Sequence, residues 1–116
     1  MSDHLIDLSF IRAARDAIDR DFLDTNTVVS AALTEKTDQP VYLKLENQQV
    51  TESFKIRGAL NAVRRLGTDQ QKRGVVCVSS GNHGRGIAYA ASLNGIRAVI
   101  CTVSYTHLTL PTIYSV

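Results

Sequence analysis

Apolar residues recur at helical spacing near the amino end of the chain. Phe10, Ile11, Ala14, Ala17, Ile18 and Phe22 alternate with Arg12, Arg15, Asp16, Asp19 and Arg20, which predicts an amphipathic first helix. Residues 24–39 are rich in Thr, Ser, Asn and Asp without a sustained period, the composition of a loop with short ordered pieces. At 41–46 the apolar Val41, Leu43 and Leu45 alternate with Tyr42, Lys44 and Glu46, the period of a half-buried strand. A polar turn, Asn47-Gln48-Gln49, follows. Ile56, Ala59, Leu60, Val63 and Leu66 then form a helical stripe that begins at Lys55, with Gly67 read as a left-handed carboxyl-terminal cap.

Val75, Val76, Cys77 and Val78 make an unbroken apolar run suited to a buried parallel strand. Ser79-Ser80-Gly81-Asn82 supplies loop and capping chemistry before a second helix over 83–93. Gly84 and Gly86 lower helix propensity there, which makes sense if the first turn approaches another backbone or a ligand closely. Gly95 closes that helix, and 98–103 reads as a further buried strand. Strand, helix, strand, helix, strand is the order of an α/β fold: an open parallel sheet flanked by helices. The segment 104–116 breaks this pattern, having no helical stripe and no charged residue. It reads as a non-native tail to be excluded from fold reasoning, the alternative being a natural strand-like or disordered terminus.

At 116 residues and 44% apolar content the chain has the composition of a globular domain or part of one. A formal charge of +2, with the basic pairs Arg64-Arg65 and Lys72-Arg73 diluted by acids, leaves no electrostatic footprint for nucleic acid. Those pairs read as solvated surface. The start Met1-Ser2-Asp3-His4 lacks the basic and apolar regions of a secretion signal, and no apolar run approaches the roughly 20 residues of a membrane span. A cytoplasmic protein with no membrane partner is expected. Cys77 and Cys101 lie inside apolar runs without ligand-like spacing, so both read as buried reduced thiols rather than metal ligands. His4 and His107 read as surface residues for the same reason.

The chemistry lies at two strand-to-helix junctions. One carries Lys44-Leu45-Glu46-Asn47 and Thr51-Glu52-Ser53-Phe54-Lys55-Ile56-Arg57-Gly58-Ala59; the other carries Ser79-Ser80-Gly81-Asn82-His83-Gly84. Such junctions sit at the carboxyl ends of strands, where open α/β proteins bind ligands, and a lysine there can reach a bound aldehyde and form a Schiff base. The residues alone also admit a non-catalytic phosphate-binding α/β module, with Lys55 as a phosphate contact and the serine loop as an anion nest.

With these motifs the chain, over about residues 5–102, resembles the threonine/serine dehydratases, fold-type II pyridoxal phosphate enzymes related to the tryptophan synthase β subunit. The strand and loop at 77–86 also look like those of hydroxyectoine-utilisation dehydratases. The resemblance implies that residues 1–54 start the larger cofactor domain and 55–103 the smaller one. It implies pyridoxal 5'-phosphate on Lys55, with Phe54 beside the ring and Asn82 bonded to the phenolic oxygen. Ser79, Ser80, Gly81, Asn82 and His83 would grip the carboxylate of a small amino acid substrate. Lys55 would then move the α proton, which requires an amine whose pKa is lowered by desolvation and a cationic neighbour.

Ser80 matches the serine that acts as acid and base in the related serine racemases. The implied reaction is β-elimination from a hydroxy amino acid such as L-threonine or L-serine, giving a 2-oxo acid and ammonia. Cysteine synthases usually have threonine where His83 stands, which favours dehydration over β-replacement. The family's glycine-rich phosphate cradle and pyridine-nitrogen partner would come later in a longer, homo-oligomeric parent. This segment alone is therefore expected to bind cofactor weakly and to be inactive.

Overall fold

The computed structural model describes residues 7–102; the 104–116 tail, His4 and His107 lie outside them. Helix α1 (Leu8–Asp16) starts where the Asp7 carboxylate accepts hydrogen bonds from the amides of Ser9 and Phe10. It stops before Ala17, short of the predicted stripe. Ile18 and Phe22 lie beyond the helix, Phe22 in a 3₁₀ turn (Arg20–Phe22), and only these two of the large stripe residues pack against the core. Phe10 and Ile11 are exposed.

The polar stretch that follows is more ordered than its composition suggests. Strand β1 (Thr27–Val29) leads into α2 (Ala31–Thr37), whose first turn is capped by Ser30 and whose end is a left-handed Asp38 with φ of 53°. Strand β2 (Tyr42–Lys44) pairs antiparallel with β1, Val28 opposite Leu43.

Helix α3 (Lys55–Arg64) carries the predicted stripe into the interior. Ile56, Ala59, Leu60 and Val63 are buried against Ala90 and Ala91 of α5 (Asn82–Leu93) and against Ile96. Burying Ile56 or Leu60 completely contributes about 1.5–3 kcal/mol each. Between the two helices lie α4 (Thr68–Arg73) and strand β3 (Val75–Val78), and after α5 comes β4 (Ala98–Cys101). Strands β3 and β4 pair in parallel, from Val75 opposite Ala98 to Val78 opposite Cys101, with α5 packed on them. The expected βαβ unit is therefore present, while β1 and β2 form a separate two-stranded sheet among the described residues.

Gly95 ends α5 as expected, at φ +64°. The Gly95 amide donates to the Ser92 carbonyl and the Ile96 amide to that of Ala91, a Schellman closure that also buries Ile96.

Other expectations are corrected. Gly67, at φ −68° and ψ 161°, is extended and is the N-cap of α4, its amide donating to the Gln70 side chain. Arg64 is not simply solvated: it donates to the Ala17 carbonyl and pairs with Asp19, tying α3 to the end of α1. Nor are both thiols buried. Cys77 faces α5 and is buried, but Cys101 is exposed, as are Val76 and Val78. The reason is the period of two: these three side chains share the sheet face opposite α5, on which no described element packs. Burial pushes the Cys77 thiol pKa up, so it packs as an apolar group.

Candidate active site

The loop before α3 is inside out. Gln49, Thr51 and Ser53 are buried, whereas the apolar Val50 and Phe54 are exposed. Gln49 donates to the Phe22 carbonyl and to Glu46, and Ser53 Oγ accepts from the Lys55 amide, so these two anchor the loop through polar contacts, while the buried Thr51 hydroxyl has no partner among the described residues. Their outward neighbours are left to face a ligand or another surface. Lys55 opens α3 with its side chain exposed and its Nζ 5.5 Å from the centre of the Phe54 ring. The described residues therefore do not supply the desolvation that the proton-transfer role calls for.

Beyond β3, the Ser79 hydroxyl folds the second motif. Its Oγ accepts from the Gly81 amide at 3.2 Å and the Gly84 amide at 2.9 Å. Ser79 thus shapes the loop and leaves the outward positions to Ser80, Asn82 and His83, all exposed. The amides of Ser80, Asn82 and His83 have no hydrogen-bond partner among the described residues. Unpaired amides at the start of a helix are of the kind that can bind an anion. A depression of about 360 Å³ opens beside it, lined by Val78, Ser79, Ser80, Cys101 and Thr102 at the carboxyl ends of both parallel strands.

Two contacts bring the motifs together. A Cβ on Gly86 would lie 3.3 Å from the backbone carbon and oxygen of Lys55, so a glycine there lets α5 press on the first turn of α3. Gly84 is equally confined: its Cβ would come within 2.9 Å of Ile100 Cγ2. The second contact is the Arg85–Glu52 ion pair at 2.9 Å, which bridges the serine loop's helix and the lysine loop.

Glu52 sits at φ +57°, a left-handed conformation that side chains other than glycine adopt at a cost of about 1–2 kcal/mol. Its ion pair is partly solvent-exposed and offsets only about 0–1 kcal/mol of this. In the full-length protein, Glu52→Gly is therefore expected to be more stable than Glu52→Ala by about 1 kcal/mol in urea denaturation. Equal midpoints would contradict the left-handed backbone at this position.

Within the first junction, a further contact that the sequence did not announce joins its two stretches, Glu46 to Arg57. Arg57 Nε donates to Glu46 Oε2 at 2.8 Å and Nη2 to Oε1 at 2.6 Å, while Nη2 also donates to the Leu23 carbonyl at 3.0 Å. Glu46 further accepts from Thr25 Oγ1 at 2.7 Å. These bonds, led by that from Arg57, hold the Glu46 pKa down to about 2, so the pair is ionised at neutral pH. The available signal was that these opposite charges each stand inside one of those stretches.

The family described as pyridoxal-phosphate dependent enzyme matches residues 18–109, an interval that reaches into the segment 104–116. The L-threonine ammonia-lyase of Thermotoga maritima is 42% identical over 104 residues, which cover 90% of this chain and 26% of that protein. Maize serine racemase superposes with a TM-score of 0.74 at 36% identity, over 83% of this chain and 30% of that one. The threonine deaminase of T.th. does so with 0.66 at 32% identity, over 84% and 38%. The chain thus spans well under half the length of each. The resemblance to hydroxyectoine-utilisation enzymes finds no counterpart in these names. With that family model matching most of the chain, and with relatives and solved structures that include threonine ammonia-lyase, threonine deaminase and serine racemase, the chain belongs to the family of pyridoxal-phosphate dependent enzymes.

Proposed function

We propose that the full-length protein carrying this chain is a pyridoxal-phosphate dependent ammonia-lyase. It eliminates water from a hydroxy amino acid such as L-threonine or L-serine and releases a 2-oxo acid and ammonia. The observation that carries this reading is the packing of the Lys55 backbone, whose side chain is an exposed primary amine, against Gly86 of the helix whose start presents unpaired amides. This donor set fits the group: an amine for an aldehyde, an exposed aromatic face at Phe54, and the Asn82 side chain as a partner for a ring oxygen. When bound, pyridoxal phosphate supplies the electron sink for the charge left at the substrate α carbon.

The chain's own residues do the rest. The amides of Ser80, Asn82 and His83 would hold the substrate carboxylate, with Ser79 and Gly81 fixing the loop that presents them. The Lys55 amine takes the α proton, and the Ser80 hydroxyl stands ready as acid or base from the other side. The serine racemase likeness makes inversion at the α carbon a second reading, since it needs the same two groups acting on opposite faces. A bare phosphate-binding module would not use the lysine covalently.

Incubating the full-length protein with pyridoxal phosphate and L-threonine or L-serine should yield ammonia and a 2-oxo acid, and borohydride should fix a pyridoxyl group on Lys55. D-serine formation from L-serine without ammonia would favour the racemase. An unlabelled Lys55 would favour the module.

A further inference from the structure

We propose that Glu46 and Arg57 are positioning residues, a charged fork that sets the rotation of α3's first turn and thereby aims Lys55. This rests on the functional reading above, but its observations are separate. The amino end of α3 lacks the usual local anchor: Phe54, its N-cap, is in helical conformation and gives no side-chain cap, leaving a 3.3 Å bond from the Lys55 amide to Ser53 Oγ. Arg57 stands two residues beyond Lys55, about 200° around the helix, so it grips the side opposite the lysine.

There its two parallel bonds to Glu46 permit a single orientation, as a bidentate guanidinium–carboxylate pair does and a lysine cannot. The carboxylate is itself fixed by Thr25 and Gln49, and Gln49 also holds the Phe22 carbonyl. Segments before β1, after β2 and at the start of α3 therefore converge on one carboxylate, which is only 20% exposed. From the α5 side, the close approach of Gly86 blocks displacement of the Lys55 peptide. The core contacts of Ile56, Leu60 and Val63 would keep α3 in place without the fork, but they do not fix its first turn to the geometry that proton transfer needs.

The test uses the cofactor-loaded full-length protein with Arg57→Lys and Glu46→Gln, and the double variant as a check that both act as one unit. Far-UV circular dichroism confirms folding; visible circular dichroism of the bound cofactor reads its asymmetry, and kcat and KM are measured separately. The expected result is a roughly 10–100-fold lower kcat with KM within about threefold, an altered visible band, and a double variant no worse than the worse single one. Should Arg57→Lys not fold, Glu46→Gln and Glu46→Asp carry the same comparison. Folded variants with unchanged kcat and visible band overturn the fork while the function stands. If borohydride leaves Lys55 unlabelled in the unsubstituted protein, the functional reading fails and the fork's role with it.

Discussion

Replacing Lys55 by alanine in the full-length protein is expected to lower turnover by about 10³-fold or more while leaving the protein as stable as before. The two halves of this expectation come from different facts. The activity half follows from chemistry: the amine is the only group proposed both to hold the cofactor aldehyde and to receive the α proton. Alanine can do neither. The stability half follows from position. Lys55 is exposed at the first residue of α3, where among the described residues its side chain makes no hydrogen bond and only a 5.5 Å contact with the Phe54 ring. Such a contact at an exposed site is worth about 0.5–1 kcal/mol, and alanine's helix propensity recovers part of it.

Arginine at the same position keeps the charge but remains protonated, so it should be as inactive as alanine. Ammonia release, borohydride labelling and urea denaturation measured on the same preparations check all of this. Retained turnover in Lys55→Ala would remove the lysine from the chemistry. A large loss of stability would instead show that the residue is structural.

What the sequence disclosed was what is local. The stripe of α3, the extent of α5, the strands β3 and β4 and the glycine closure at Gly95 each rest on a period or a dipeptide signal inside one element. The motifs also placed Lys55 and the serine loop at helix starts, where they are found.

What stayed hidden depends on partners far along the chain. Strand β1 is three residues long and exposed, and only its pairing with β2 defines it. The helical spacing that runs on through Ile18 and Phe22 is shared by a 3₁₀ turn whose Phe22 ring meets Tyr89 of α5 edge to face, at 6.2 Å. The apolar run of β3 is equally ambiguous, because it cannot say which face is covered. The fork between Glu46 and Arg57 joins two charges that no periodicity links.

Gly74 was silent in the sequence and is expected to be the most costly glycine to replace. Its backbone lies at φ +83° and ψ −171°, a region open essentially to glycine alone, so any side chain there costs about 1–3 kcal/mol in strain. Space makes it worse: a Cβ would stand 2.5 Å from the Arg97 carbonyl oxygen, which cannot swing away because it accepts the Val75 amide at 2.9 Å. That bond is the first rung between β3 and β4, and the rungs beyond it carry the register to Val78 opposite Cys101. Ser79 follows immediately, its amide donating to the Cys101 carbonyl.

Gly74→Ala in the full-length protein should therefore lose roughly 3 kcal/mol or more in urea denaturation, strain and overpacking together. If the protein still folds, the shifted register should reach the serine loop and weaken substrate binding, raising KM although residue 74 lies at the opposite end of the strand. Gly81→Ala is the control, since a Cβ there meets nothing within 4 Å and φ is −161°. It should stay within about 1 kcal/mol of the parent. If Gly74→Ala were no more costly than Gly81→Ala, the close passage over Arg97 of the chain entering β3 would be wrong, and with it the register that places the loop.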